Sequence, residues 1–363
     1  MRVLILGGGQ LALMLIWAAQ RLPARIAVYD EAEDAPALRL AEAVEDPVSA
    51  VEDADVVTYE FENVPLEAAE AAERAGKLKP PLLYLRVKRD RALEREFLEG
   101  VGVPVPRWRV VQSAEEALKA AASMGRAVVK VPSGAYDGKG VFYYPSMARG
   151  IAGLKGRLIV EEYVDVAREL SIIVARGEDG DAFAYPAAEN YYVDGILVWN
   201  YAPVEAPEEA LEYALKIAEA GKYVGVLAVE FFEARDGRVL VNEIAPRVHN
   251  TGHWTMETDA SQFENHMRAV TGRPLRRPSA VAPTAMVNIL GRRLEELPLP
   301  RLEALGKVYW YGKGEARPRR KMGHVNVVGR SAGEAKAKAR EALKLIYGGD
   351  FPRLVLKPRG KAP

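Results

Sequence analysis

The segment Val224-Gly-Val-Leu-Ala-Val-Glu-Phe-Phe-Glu-Ala-Arg-Asp-Gly-Arg-Val-Leu-Val-Asn-Glu-Ile-Ala-Pro-Arg247 spaces two acids so that they can act together. Two apolar runs flank Asp236-Gly237, the dipeptide that a two-residue type I′ hairpin turn prefers. With Arg235 facing Arg238, Glu230 falls directly opposite Glu243. Facing side chains on one sheet face have Cβ atoms roughly 4.5–5.5 Å apart, and like charges there repel. Their same-face neighbours, Ala228 and Phe232 against Val241 and Ala245, are apolar. A cation between the acids removes the repulsion, and oxygen ligands with no cysteine or dense histidine nearby favour Mg²⁺ over zinc. A protonated or solvated acid pair, or a bulge that shifts the register, is the plainer alternative.

Other stretches carry complementary chemistry. Ala127-Val-Val-Lys-Val131 runs into Ser133-Gly-Ala-Tyr-Asp-Gly-Lys-Gly140, a strand-borne lysine leading to a glycine-rich turn. Free backbone N–H groups there can cover phosphates, with Lys130 and Lys139 supplying charge; an ordinary glycine hairpin with solvated lysines is the alternative. Ile159-Val-Glu-Glu-Tyr-Val164 and then Glu169 offer backbone amides and acids suited to a base edge and ribose hydroxyls. Glu60-Phe-Glu62-Asn63 ends a strand where open α/β sheets place ligands, although an acidic start to the helix after Pro65 explains it equally well. His249 and His253 have i, i+4 spacing, but Gly252 and the missing intervening Glu speak against a zinc helix and leave substrate contacts. Lys313 and Arg317-Pro-Arg-Arg-Lys-Met-Gly-His324 form the densest basic run, suited to an anionic clamp or simply to a solvated face. Gly7-Gly-Gly9-Gln-Leu-Ala12 also satisfies the dinucleotide fingerprint G-x-G-x-x-A, with Asp30 ending the second strand, so a nicotinamide dehydrogenase competes.

Composition narrows the classes. Fifty basic and fifty acidic residues cancel in a chain of 363, so no global charge points to nucleic acid or a lipid surface. The absence of cysteine removes disulfides, thiolate catalysis and sulfur-ligated metal. No apolar run approaches the ~20 residues that span a bilayer, and the N-terminus lacks a signal-peptide layout. A soluble protein of cytoplasmic type is expected.

The elements that must position these residues follow from periodicity. Strands at Val3–Leu6, Ile26–Asp30 and Asp55–Glu60 alternate with helices at Leu11–Gln20 and Pro65–Ala75, predicting a parallel doubly wound sheet. A helix over Lys88–Gly100 ends at the seam Gly100-Val-Gly-Val-Pro104. Antiparallel strands are expected at Ala127–Val131, Val141–Tyr144, Leu158–Val164, Glu169–Ala175 and Ala182–Glu189, with a helix over Glu208–Lys222 before the hairpin. After a Pro/Arg-rich link come strands near Thr284–Leu290, Lys307–Tyr311 and Gly323–Val328 and a helix over about Ala332–Tyr347.

Taken in order, these pieces resemble the ATP-grasp superfamily, and within it the N5-carboxyaminoimidazole ribonucleotide synthetases of purine biosynthesis. The resemblance covers nearly the whole chain. It rests on Gly7-Gly-Gly-Gln-Leu11, Thr58-Tyr-Glu-Phe-Glu-Asn-Val64, Ala135-Tyr-Asp-Gly-Lys-Gly140, Asn242-Glu-Ile-Ala-Pro-Arg-Val-His-Asn250, Gly252-His-Trp-Thr255 and Arg319-Arg-Lys-Met-Gly-His324. The second and fourth are the most specific. It implies a mixed α/β and α+β fold: a preATP-grasp parallel α/β domain over residues 1–96 and an ATP-grasp domain over 97–272. The latter has antiparallel sheets and a mobile lid at about 125–185, and a small C-terminal domain covers 273–363. It further implies a homodimer and possible handover of product to the mutase that follows.

The reaction implied is ATP-dependent carboxylation of 5-aminoimidazole ribonucleotide by bicarbonate through carboxyphosphate. Lys130, Arg91 and Lys139, with the loop glycines Gly134, Gly138 and Gly140, would contact ATP phosphates; Glu161, Glu162, Tyr163 and Val164 would hold adenine, and Glu169 the ribose. Glu230 and Glu243 would carry Mg²⁺, supported by Asn242, while Lys313 and Arg320 would take the 5′-phosphate. Gln10, Glu60, Glu62, Tyr136, Asp137, Arg247, His249 and Asn250 would surround the imidazole and bicarbonate, with Tyr136, Asp137, Lys139, Arg247 and His249 the catalytic set. Leu13 replaces an expected Arg, Ala135 an expected Gly, and Tyr192 stands near an expected His. Other ATP-grasp ligases, such as a formate-dependent glycinamide ribonucleotide transformylase or a biotin carboxylase, lack the Tyr136-Asp137 and Arg319–His324 elements. A non-catalytic nucleotide sensor would bind ATP without turnover.

Overall fold

The computed structural model describes residues 1–132 and 140–348. Three sheets organise them. The first is parallel, with strand order β3-β2-β1-β4, built from β1 (Arg2–Leu6), β2 (Arg25–Tyr29), β3 (Glu42–Ala43) and β4 (Val56–Tyr59). Helices α1 (Gln10–Ala19), α2 (Pro47–Asp53) and α3 (Leu66–Arg74) connect them. The strands are short and almost wholly apolar because both faces are covered: Val3 and Ile5 pack with α1, Leu4 and Leu6 with α3.

Two helices then turn a corner, α4 (Leu82–Arg89) and α5 (Arg91–Val101). The expected helix from Lys88 is therefore two helices. Asp90 has extended backbone and its side chain accepts from the amides of Ala92 and Leu93, so it caps α5 and ends α4. Gly102 terminates α5 with φ +75°, a left-handed conformation that suits glycine.

The second sheet, small and antiparallel, has order β5-β8-β6-β7, from β5 (Trp108–Val111), β6 (Ala127–Lys130), β7 (Val141–Tyr144) and β8 (Leu158–Glu162). α6 (Ala114–Met124) and α7 (Ala148–Ala152) pack on one face through Ala117, Ala121 and Ile151. The range 125–185 read as a lid takes in three strands of this sheet, leaving out β5, and runs on into the next.

The third sheet has nine strands: β9 (Val166–Arg176), β10 (Ala182–Ala184), β11 (Ala187–Val193), β12 (Ile196–Val204), β13 (Gly225–Ala234), β14 (Val239–Ala245), β15 (Thr284–Leu290), β16 (Lys307–Trp310) and β17 (Lys321–Val328). Its order is β14-β13-β9-β11-β12-β15-β17-β16, with β10 beside β9. The strand expected over Ala182–Glu189 is broken at Tyr185-Pro186, where proline cannot serve the ladder. β9 and β13 alternate sides: Leu170, Ile172, Val174, Leu227, Val229 and Phe231 meet α8 (Glu208–Ala220) and α5. Ile173, Ala175, Val226 and Ala228 face α9 (Gln262–Val270), which also contacts α1. α10 (Leu299–Glu303) and α11 (Ala332–Tyr347) cover β15 and β17. Because β12 pairs with β15, one continuous sheet runs from the acid hairpin into the C-terminal segment.

The hairpin itself departs from the expected turn. Ala234 donates to the carbonyl of Arg238 and Gly237 to that of Ala234, so the loop has three residues, Arg235 to Gly237. Phe231 accordingly faces Val241, and Phe232 faces Leu240 rather than Val241. A bulge at Asn242 then restores the register, so that Glu230 faces Glu243 and Ala228 faces Ala245.

Candidate active site

The three sheets border one cleft of about 1250 Å³. The carboxyl end of β4, the α4–α5 corner, the inner face of the small sheet, the acid hairpin and the loop before β17 all contribute lining residues. Of the residues singled out from the sequence, Gln10, Glu60, Glu62, Arg91, Lys130, Glu161, Glu162, Tyr163, Val164, Glu169, Glu230, Asn242, Glu243, Arg247, His249, Asn250, Lys313 and Arg320 all reach it. Gly140 adjoins it just before β7, its carbonyl accepting from the Val131 amide at 3.0 Å. Gly134, Ala135, Tyr136, Asp137, Gly138 and Lys139 lie outside the described residues.

Glu230 and Glu243 form the centre. Glu230 is buried, with a side chain 8% exposed, whereas that of Glu243 is 46% exposed to the cleft. Burial and the neighbouring Glu243 push the Glu230 carboxyl up to about 8. Burial works against ionisation of Glu243 as well, but Lys88 outweighs it and holds that carboxyl far below the usual range. Lys88 Nζ lies 2.7 Å from Glu243 Oε2 and 3.3 Å from Glu94 Oε1. The pair has only oxygen donors and excess negative charge, which fits a hard divalent cation shared with substrate phosphates. No cluster of three or more His, Asp or Glu that could ligate a metal occurs among the described residues. Two protein carboxylates are the usual number for Mg²⁺ completed by phosphate and water. Tyr192 of β11 lines the cleft beside Glu230 and acts on its carboxyl.

The adenine-side candidates have a different character. Glu161 accepts from Arg95 Nε at 2.9 Å on Oε1 and from Lys130 on Oε2. Burial alone would raise it, yet these two cations pull its carboxyl down to about 2. Glu162 is engaged with Arg107 at 2.8 Å and Arg238 at 2.7 Å. Its side chain therefore serves the fold, which leaves the backbone of Glu162 to Val164 as the part suited to a base edge.

At the other end, Arg247 grips Glu62 Oε2 through Nε at 2.9 Å and a terminal nitrogen at 2.8 Å. Burial would raise Glu62, but Arg247 and Lys88 hold it below the usual range. His249 Nδ1 accepts from the Thr251 amide at 3.4 Å and lies 2.9 Å from Thr251 Oγ1, which leaves Nε2 to carry the proton. Burial first, then Arg247, depresses its pKa well below the ordinary value, so it is neutral at pH 7. Lys313 Nζ donates to Gln10 Oε1 at 2.6 Å, joining the C-terminal loop to the first turn of α1. Arg320 donates to the Glu315 carbonyl at 2.8 Å. Asn250 exchanges amide bonds of 3.1 and 2.8 Å with Asn288.

Two alternatives that the sequence left in competition find no place in the structure. The Gly7–Ala12 segment is not an open dinucleotide site. Glu60 accepts from the amides of Gly9, Leu11 and Ala12 at 3.0–3.2 Å, and Asp30 accepts from Gly8 at 2.6 Å. The glycines admit the protein's own carboxylate: a Cβ on Gly9 would lie 2.6 Å from Glu60 Oε1. The His249/His253 pair is likewise no zinc helix. The segment from Asn250 to Glu257 is a 3₁₀ turn, and His253 is buried against His324 and Phe263, away from the cleft wall.

Three residues escaped the sequence reading: Lys88, Glu94 and Arg95. Glu94 accepts from the Ile244 amide at 2.8 Å, and Arg95 donates to the Asn242 carbonyl at 2.8 Å. The available signal was the i, i+3, i+4, i+7 stripe Arg91, Glu94, Arg95, Leu98, in which charge shares a face with a buried leucine.

Comparison with known proteins places the chain in a family. Residues 1–89 match the ribonucleotide synthetase preATP-grasp domain, 96–263 the ATP-grasp domain, and 284–338 the phosphoribosylaminoimidazole carboxylase C-terminal domain. The class is thus ATP-grasp. An N5-carboxyaminoimidazole ribonucleotide synthase of Saccharolobus solfataricus is 42% identical over 352 residues, covering 94% of this chain and 95% of that protein. One of Aquifex aeolicus is 41% identical over 356 residues, covering 95% and 96%. A solved ADP complex of an N5-carboxyaminoimidazole ribonucleotide synthetase superposes with TM-score 0.86 at 35% identity, covering 94% and 96% of the two chains. An Aspergillus clavatus enzyme solved with ADP and 5-aminoimidazole ribonucleotide superposes with TM-score 0.85 at 28% identity, covering 95% and 98%. The chain belongs to the N5-carboxyaminoimidazole ribonucleotide synthase family.

Proposed function

We infer that this chain is an ATP-grasp carbon–nitrogen ligase of purine biosynthesis. It joins bicarbonate to the exocyclic amine of 5-aminoimidazole ribonucleotide, giving N5-carboxyaminoimidazole ribonucleotide, ADP and phosphate. The observation that carries the reading is the facing Glu230–Glu243 pair in a cleft also lined by Lys130, Arg247, Lys313 and Arg320.

Glu230 and Glu243, beside Asn242, would hold Mg²⁺, which would supply charge neutralisation at the phosphoryl oxygens. Lys130 and Arg91 orient the phosphates, with Lys139, Gly134, Gly138 and Gly140 assigned to the same task by family resemblance. The backbone of Glu161 to Val164 takes adenine and Glu169 the ribose. A bicarbonate oxygen attacks the γ-phosphorus, the bond to the ADP oxygen breaks, and carboxyphosphate forms. The amine nitrogen then bonds to its carboxyl carbon, directly or after release as CO₂, while the carbon–oxygen bond to phosphate breaks. The amine proton leaves to the departing phosphate or to water; neutral His249, with its proton on Nε2 and its accepting Nδ1 against Thr251, serves as a hydrogen-bond donor to a bicarbonate or phosphate oxygen. Arg247 stabilises developing negative charge. Lys313 and Arg320 bind the 5′-phosphate, and Gln10, Glu60, Glu62, Tyr136, Asp137 and Asn250 shape the acceptor pocket. No step needs a protein nucleophile, consistent with a chain that has no cysteine.

A homodimer, a cytoplasmic setting, handover of product to the mutase, and a division near residues 96 and 272 with a lid between belong to the same reading. No helix among the described residues is long and apolar enough to cross a membrane. The deciding experiment is ADP release from Mg²⁺-ATP with and without the ribonucleotide and bicarbonate. Turnover that requires both substrates supports the reading; ATP binding without stimulation by the ribonucleotide overturns it.

A further inference from the structure

The α4–α5 corner grips the strand that carries Glu243. Glu94 fastens the amide of Ile244, next in sequence to Glu243, and Arg95 fastens the carbonyl of Asn242, the residue before it. Between these two anchors Lys88 reaches from the last turn of α4 to Glu243 Oε2 at 2.7 Å, and its side chain is 12% exposed. Its second partner is Glu94 Oε1 at 3.3 Å. Lys88 thus spans two acids that come from different elements, and one of them belongs to the facing carboxylate pair. Arg91 and His249 act on Glu243 from other sides of the cleft, and Glu62 acts on Lys88.

A compact ammonium that contacts Glu243 occupies part of the coordination space a divalent ion needs, and it cancels part of the field that attracts one. We propose that Lys88 is a positioning residue that shares Glu243 with the metal: it holds the carboxylate in place in the metal-free enzyme and sets divalent affinity by competing for it. The proposal rests on the assignment of Glu230 and Glu243 as metal ligands. Glu94 is the other half of the device, because it draws the Lys88 ammonium away from Glu243 and so makes room for the ion.

The test is Mn²⁺ titration of the full chain in the presence of ADP, with free Mn²⁺ followed by electron paramagnetic resonance, alongside urea unfolding of the metal-free protein. K88M is expected to bind Mn²⁺ about three- to tenfold more tightly, as the competing charge is gone, and to unfold at lower urea without metal. E94Q, which leaves Lys88 entirely to Glu243, is expected to weaken Mn²⁺ binding by a similar factor. A role confined to structure would move the unfolding midpoint and leave Mn²⁺ affinity alone; that result overturns the proposal. Weaker ADP binding by K88M at unchanged Mn²⁺ affinity also overturns it, in favour of a phosphate contact. If K88M does not fold, E94Q decides, and unchanged or tighter Mn²⁺ binding by E94Q rejects the idea. E243Q separates the two levels. Loss of Mn²⁺ affinity there with no change in K88M sinks the role of Lys88 alone, whereas retained affinity in E243Q removes the metal site and this proposal with it.

Discussion

The two acid clusters of the cleft are built on opposite charge balances. Glu161 stands between two cations, Arg95 and Lys130, and is fully ionised at any working pH. Of the facing pair, Glu243 holds a lysine that Glu94 also claims, and Glu230 is pushed toward its protonated form. A carboxylate whose charge is balanced by groups already on the chain calls for no cation from outside. A cluster left short of positive charge is a place for something not on the chain. The contrast separates the two clusters more sharply than position does, because both line the same cleft.

The largest expected effect lies in the unbalanced cluster. E243Q should cut ADP release in the full reaction by about 1,000-fold or more, because metal-borne stabilisation of phosphoryl transfer is lost. If E243Q turned over normally, the distinction between the clusters would fail. In the balanced cluster the cost should fall on stability. R95M strips one of two cations from buried Glu161 and frees the Asn242 carbonyl, and should cost about 3–5 kcal/mol in urea unfolding.

The clusters should also respond to pH with opposite sign in the metal-free protein. Glu161 has its carboxyl lowered from 4.5 to about 2, so its stabilisation is complete above pH 4.5 and is lost as pH falls toward 2. Glu230 is raised from 4.5 to about 8, so the folded form keeps a proton the unfolded form releases. That contribution is complete below pH 4.5 and is lost as pH rises through about 8. Urea midpoints measured across pH, with E230Q flattening the alkaline limb, check both signs. The smallest effect is expected at Glu60: E60A should cost about 1–3 kcal/mol by orphaning amides of Gly9, Leu11 and Ala12. Nicotinamide fluorescence titration of the wild type should show no binding.

Regular elements were the most legible. The strand Thr284–Leu290 and the helix Ala332–Tyr347 stand at the residues read from periodicity, the latter with Ser331 capping the Glu334 amide. The break at Asp90 was not read, because a charged run of Lys and Arg looks like one helical surface until its capping carboxylate is seen. Two Asp-Gly dipeptides show how far local rules reach. Asp194-Gly195, with φ +50° and +79°, makes the two-residue turn joining Val193 to Ile196. Asp236-Gly237 does not, and Glu230 meets Glu243 only because a longer loop and a bulge offset each other. The acid pair was legible in the sequence for a reason that was half wrong. The stripe marks Arg95 as half-buried, but the acid partners of Lys88 and Arg95 were not legible, since Glu243 and Glu161 lie 155 and 66 residues away and no local spacing encodes them.

The pairing of β12 with β15 has a practical meaning for anyone dissecting the chain. The seam near residue 272 looks like a place to cut, but the strands after it finish a sheet begun before it. A fragment ending there would present the bare edge of Ile196–Val204, nine residues that include Leu197, Val198, Trp199 and Tyr201, all buried in the intact protein. Such an edge invites pairing between molecules. The C-terminal segment is thus the cover of that edge, and separate expression of the two halves should yield aggregate unless they are produced together.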